Sequence, residues 1–219
     1  MQEFENVWKL KKFDRQMSAQ FAEELNVATP IANILAGRGL KSIKEVEKYC
    51  RTDINALRNP FLLPDIRPVL DRLHKALDNN EKIFVWGDYD VDGITATSVV
   101  VTALRKMKAN LIYKVPHRME DGYDIKVHSV DQAIEAEADL LFSVDCGIVA
   151  FETAEYAKQK KLDLIITDHH HPSEDGKIPD CIGVVNPNRD DPNYPGHLFT
   201  NESNKDFKRY PFDALAGVG

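Results

Sequence analysis

The sequence predicts an α/β fold, a parallel sheet flanked by helices and preceded by a small helical amino-terminal region. Three observations predict it. From Ile83 onward, short apolar runs alternate with helical patterns, the signature of βαβ units. Three of those runs end in acidic residues, where the carboxyl ends of parallel strands gather ligands. Residues 1–60 read as helical and separate from the remainder, so the expected division is 1–60 and 61–219.

Taken in order, Thr29-Pro30 opens a short helix that ends near Gly37 or Gly39, with proline at the start where its missing N–H costs nothing. Ser42-Ile43-Lys44-Glu45 is a capping box for a helix running to Cys50. Asn59-Pro60 and Pro64 punctuate the exit. An amphipathic helix then runs through Val69, Leu70, Leu73 and Leu77. The expected strands are Ile83–Trp86, Leu111–Val115, Leu140–Val144, Leu164–Thr167 and Ile182–Val185. Between them helices are expected near Ala96–Lys108, Val130–Ala136 and Ala150–Gln159, the first beginning after Gly93 breaks the extended run. Lys158 to Lys161 read as a basic helix end facing the macrodipole, and Lys9 to Lys12 as a solvated basic patch. Asn186 to Pro195 is turn-rich and 196–209 is polar, which reads as an exposed loop. The stop at Leu215-Ala216-Gly217-Val218-Gly219 reads as an artificial boundary.

Composition bounds the function. The 219 residues carry a formal charge of −7, which argues against a bulk electrostatic grip on nucleic acid but leaves room for a local basic groove. Cys50, Cys146 and Cys181 form no CxxC pair and are odd in number, so a reduced cytoplasmic setting is expected rather than a disulfide framework. Neither a signal peptide nor an apolar run of about 18 residues is present in the sequence, so no membrane partner is expected.

The chemistry concentrates in Asp88-Tyr89-Asp90-Val91-Asp92-Gly93. Side chains two apart on an extended segment point the same way, so Asp88 and Asp90 can share a target, and a hard divalent cation is the usual one. An EF-hand loop would need glutamate at its twelfth position, which is Val99, and a helix where a strand is expected. An aspartyl-nucleophile phosphatase stays open on this stretch alone. Two further strand ends repeat the theme, at Asp145-Cys146-Gly147 and at Asp168-His169-His170-His171. Simple helix capping explains one such end, not three in one sheet. Carboxylates mixed with imidazole suit Mn²⁺ or Mg²⁺, and the ligands suffice for a two-metal site bridged by a shared aspartate. A spare histidine could bind phosphate or protonate a leaving oxygen. Cys146 reads as a small buried thiol, with no base fixed beside it.

Asp88 to Gly93, Asp145 and Asp168-His169-His170 resemble the first three motifs of the DHH phosphoesterase family. Pro116 to Tyr123, Asn186-Pro187-Asn188 and Leu215 to Gly219 narrow the resemblance to its RecJ branch, 5′→3′ exonucleases specific for single-stranded DNA in repair and recombination. The resemblance spans about residues 60 to 219 and implies metal-dependent phosphodiester hydrolysis with Mn²⁺ or Mg²⁺. It implies that Asp88, Asp90, Asp145 and His169 ligate metal, while Asp168 and His170 orient or contact phosphate. Single-stranded DNA is the implied partner, with single-stranded-DNA-binding protein and a helicase as further candidates. Arg118, emerging after the strand that ends at Val115-Pro116, is the candidate phosphate contact, or else an ion pair with Glu120 or Asp121. His117 belongs to the same substrate-binding segment.

Two departures matter. Many members carry a metal-binding histidine two positions before the first aspartate, where this sequence has Trp86. The family's fourth motif lies beyond the Leu-Ala-Gly-Val-Gly segment, so the site is expected to be incomplete and the chain alone inactive or weakly active. The alternatives are a DHH hydrolase of small substrates (pyrophosphate, oligoribonucleotides, cyclic dinucleotides) and a non-catalytic scaffold, which would be expected to lose the acidic ligands.

Overall fold

The computed structural model describes residues 11–50 and 59–189. The expectations for Lys9 and Leu10, the turns of 190–195, the loop at 196–209 and the segment Leu215 to Gly219 lie outside those residues. The chain divides between residues 58 and 59 into two compact units.

Among its described residues the first unit holds three helices, α1 (Arg15–Glu24), α2 (Thr29–Gly37) and α3 (Ile43–Tyr49). Their buried faces meet through Phe21, Ala32, Leu35 and Val46. Asp14 caps α1 by accepting from the N–H groups of Gln16 and Met17. The capping box of α3 forms with one change. Ser42 Oγ accepts from Glu45 N as expected, but the Glu45 carboxylate reaches one residue further back, to the N–H of Lys41 at 2.8 Å.

The second unit is a five-stranded, wholly parallel sheet with helices on both faces. Its elements are α4 (Ile66–Asp78), β1 (Ile83–Trp86), α5 (Val91–Lys106), β2 (Leu111–Lys114), α6 (Val127–Glu135), β3 (Leu140–Val144), α7 (Phe151–Lys160), β4 (Asp163–Thr167) and β5 (Gly183–Val185). Alternation along the strands divides the core. Ile83 and Val85 face Val69 and Ala76 of α4 and Val101 and Leu104 of α5. Phe84 and Trp86 face Val130 and Ala133 of α6 and Ala154 and Ala157 of α7. Because both faces are covered, β1 and β3 are buried at every position, which is why they read as unbroken apolar runs. Among the described residues no helix is long and apolar enough to cross a membrane.

The strand order β2-β1-β3-β4-β5 positions the site. The chain leaves β1 toward β2 on one side and returns to β3 on the other, so a crevice opens where the direction reverses. The register aligns Trp86 with Ser143, and Ser143 with Ile166. Two residues beyond that row stand Asp88, Asp145 and Asp168, at one level along the carboxyl edge.

The helix expected near Val130–Ala136 begins three residues earlier, at Val127, and the largest shift of a boundary lies at the site. Helix α5 begins at Val91, not after Gly93, because Asp90 caps it and its carboxylate accepts from Gly93 N at 3.0 Å. Gly93 therefore lies inside the first helical turn.

Candidate active site

Among the described residues two donor groups converge at the crevice, and both include Asp145. In one, single oxygens of Asp88, Asp90 and Asp145 lie within 4.8 Å of one another. In the other, Asp145, His169 and His170 do the same. The four residues that the family resemblance implies as ligands, Asp88, Asp90, Asp145 and His169, thus meet around one shared carboxylate.

The electrostatics of that meeting are unbalanced. Asp88 Oδ2, both carboxylate oxygens of Asp145 and His169 Nε2 are buried without a hydrogen-bond partner among the described residues. His169 Nε2 lies 3.1 Å from Asp145 Oδ1 and 3.5 Å from Asp92 Oδ2, out of line for a hydrogen bond to either. Burial, then the neighbouring charge of Asp92, pushes the Asp145 carboxyl up to about 7. Burial likewise raises Asp88. A buried carboxylate with no donor is costly unless it is protonated or faces a cation. These residues suit a hard divalent cation: oxygen donors, one or two imidazoles, and unspent lone pairs aimed into a common space.

Asp168 behaves differently. It is also buried, but it accepts from His169 N at 2.7 Å, His170 N at 3.0 Å, His170 Nδ1 at 2.7 Å and Ile148 N at 2.9 Å. Burial would raise its carboxyl, yet the hydrogen bonds from His170 and Ile148 outweigh that and hold it below the usual range. Oδ1 takes three of these bonds and Oδ2 only the one from Ile148, so the carboxylate holds the His169–His170 turn and the His170 ring. The partner it orients is His170, which the hydrogen bond to Asp168 raises to about 9. With Nδ1 engaged, the Nε2 edge of His170 is left for the crevice. Asn186 and Asn188 fasten this segment by donating from their side-chain amides to the carbonyls of His170 and His169, at 3.0 and 2.5 Å.

Gly93 allows the helix to close on the site. A Cβ at Gly93 would stand 2.6 Å from Asp88 Cβ and 2.7 Å from its carbonyl oxygen. Alanine favours a helix by up to about 1 kcal/mol over glycine, but overpacking against backbone costs about 1–3 kcal/mol and no flexible side chain can yield. Gly93→Ala is therefore expected to lower the melting temperature, and an unchanged or higher value in a thermal melt would contradict this packing.

Other expectations fare variously. Trp86 is fully buried on the α6 and α7 side, with Lys114 Nζ 5.0 Å above its ring, so this position faces the core rather than the crevice. Cys146 is a buried thiol that burial pushes well up. Arg118 does not pair with Glu120 or Asp121. Asp121 is taken by Lys114 Nζ at 2.8 Å and His117 N at 2.6 Å, and the Arg118 guanidinium sits 5.4 Å over the Tyr89 ring. His117 bonds through its backbone, its N–H to Asp121 and its carbonyl accepting from the N–H groups of Glu120 and Asp121, and its ring is not brought to the donor groups. Two residues for which no role was expected also border the crevice. Asp92 stands in the first turn of α5 and became visible as a neighbour of His169 only once the helix started at Val91. Asp124, raised by burial to about 6, had no signal beyond its acidity.

The description "DHH family, N-terminal domain" matches residues 82–203, more than half of the chain. The chain belongs to the DHH family. Among curated relatives of this DHH chain, the single-stranded-DNA-specific exonuclease RecJ of Bacillus subtilis (strain 168) is 32% identical over 212 residues, covering 97% of this chain and 25% of the relative. A crystal structure of exonuclease RecJ bound to manganese is 34% identical with a TM-score of 0.54, over 60% of this chain and 33% of that one. A crystal structure of RecJ from Thermus thermophilus in complex with Mn²⁺ is 26% identical with a TM-score of 0.57, over 81% of this chain and 24% of that one. The DHH chain thus spans about a quarter to a third of the length of the proteins it matches.

Proposed function

We propose that this DHH chain carries the metal-binding and catalytic acids of a 5′→3′ exonuclease acting on single-stranded DNA. The observation that carries the reading is the pair of donor groups sharing Asp145, with four buried donor atoms unspent. Its similarity to RecJ proteins, two of them solved with manganese, supports the substrate and the ion.

Asp88, Asp90, Asp145 and His169 would hold Mn²⁺ or Mg²⁺. Such ions supply Lewis-acid stabilisation of a phosphoryl group and water of lowered pKa. The protein groups do the rest. Asp168 keeps its charge, holds His170 in one orientation and keeps it protonated at neutral pH. His170 Nε2 is then a donor for a phosphate oxygen or for the leaving oxygen. Asn186 and Asn188 fix the backbone beneath both histidines. Arg118, exposed and without an acidic partner among the described residues, offers a planar fork to a phosphate farther along the strand.

Incubation with Mn²⁺ and end-labelled oligonucleotides tests the reading. Release of mononucleotides from the 5′ end of single strands, weak from this chain alone and abolished by a chelator, is the expected result. Hydrolysis confined to pyrophosphate or cyclic dinucleotides would instead favour a small-substrate DHH hydrolase. Arg118→Ala is expected to weaken single-strand binding and to reduce the slope of log K against log salt by about 0.7, the loss of one phosphate contact. Equal slopes for variant and parent would remove Arg118 from the strand path.

A further inference from the structure

We propose that the Tyr123 ring, backed by Tyr89 and Arg118, is the surface on which an unpaired nucleobase of the substrate strand stacks beside the donor groups. The proposal rests on the phosphodiesterase reading and names what that site recognises besides phosphate.

Planar groups form a continuous series here. Arg118 lies 5.4 Å over Tyr89, the Tyr89 and Tyr123 rings meet edge to face at 6.4 Å, and Tyr123 meets His170 edge to face at 5.9 Å. His170 in turn lies 4.6 Å from His169. The series runs from the exposed 117–120 turn to the candidate ligands. Tyr89 belongs to it because it alternates with Asp88 and Asp90.

Tyr123 is presented, not packed away. It keeps 46% of its surface open, although its neighbour Ile125 is buried. The backbone is held in an unusual shape to achieve this. Gly122 has φ +79° and Asp124 has φ +73°, so left-handed residues flank Tyr123 on both sides. Asp124 is not a glycine, and such strain persists where surrounding structure enforces it. The enforcement is visible. Asp121 receives Lys114 and the His117 N–H on one side, and the Asp124 carboxylate accepts from Ile125 N at 2.8 Å on the other.

A partly open aromatic ring touching the residue that would contact the scissile phosphate matches a nucleobase adjacent to that phosphate. Stacking uses the π-face that all bases share, so it is indifferent to sequence. It also demands a base whose face is free, and in a duplex both faces are covered by neighbours. Tyr123 would thereby discriminate unpaired strands without reading any base edge.

The test compares two probes by calorimetry on the Mn²⁺-loaded chain. One is a 5′-phosphorylated, phosphorothioate-linked thymidine dinucleotide, the other its abasic counterpart. The parent is expected to bind the base-bearing probe about 5- to 100-fold more tightly, from the usual worth of one stacked base. Tyr123→Ala should abolish that difference, Tyr123→Phe should restore it, and Mn²⁺ titrations of all three should coincide. Equal binding of the two probes by the parent, or a difference that survives in Tyr123→Ala, overturns the stacking role alone. Binding of neither probe overturns the phosphodiesterase reading and the stacking role together.

Discussion

Asp145→Asn should abolish divalent-cation binding and, with it, any hydrolysis. Asp145 is the one residue common to both donor groups, so its loss degrades both. Substitutions behind a ligand already cost about 10- to 100-fold, so losing a shared ligand should exceed about 100-fold in affinity. The same substitution should stabilise the metal-free chain. The Asp145 carboxyl rises from 3.8 to about 7 on folding, so the folded state binds the proton more tightly than the unfolded state. Stability then falls as pH rises through that window, and what is lost is fully missing above about pH 7. Each tenfold change in proton affinity is worth about 1.4 kcal/mol, so neutral asparagine should recover up to about 4 kcal/mol at pH 8 and little near pH 4. Chemical denaturation at the two pH values, with and without Mn²⁺, reads both effects. A variant that still binds Mn²⁺ like the parent, or that is destabilised at pH 8 without metal, would contradict the assignment.

Asp168→Asn should cost nearly as much activity by another route. The parent carboxylate accepts four hydrogen bonds, and an amide must turn an N–H toward at least one of those donors. His170 is raised from 6.5 to about 9 chiefly by this carboxylate, so its stabilisation is complete below about pH 6.5 and is lost as pH rises through about 9. In the variant that pH dependence should weaken, and the imidazole should titrate well below 9 in a proton NMR series. Hydrolysis at pH 8 should fall about 10²- to 10⁴-fold, the usual worth of a positioned acid or base. An NMR titration still centred near 9 would show that Asp168 does not set the state of His170.

The strand-end acids were legible because two periodicities agree. Buried parallel strands read as apolar runs, and their carboxyl ends are where polar residues cluster, so Asp88, Asp145 and Asp168 could be placed on one edge before any contact was known. The division of labour among them was not legible. Asp145 and Asp168 each come directly after a strand, yet one is left with bare oxygens and the other accepts three backbone N–H groups from the turns around it. That difference arises in the turns, where Asp145 adopts φ +65° and no sequence period operates. The start of α5 was misplaced because glycine marks a break more often than a third helical position, and the cap from Asp90 overrode that preference. Asp92 went unassigned for the same reason. The Tyr123 surface was hidden more deeply, since it depends on a non-glycine residue held at positive φ and on ring contacts between segments more than 30 residues apart.

The most direct test of the central claim is anomalous scattering from crystals soaked in Mn²⁺. The account predicts manganese density in the crevice between β1 and β3, coordinated by carboxylate oxygens of Asp88, Asp90 and Asp145 and by His169, with Asp145 a ligand in every ion bound there. Density elsewhere on the chain, or none in that crevice with the Asp145 carboxylate still unliganded, would contradict it.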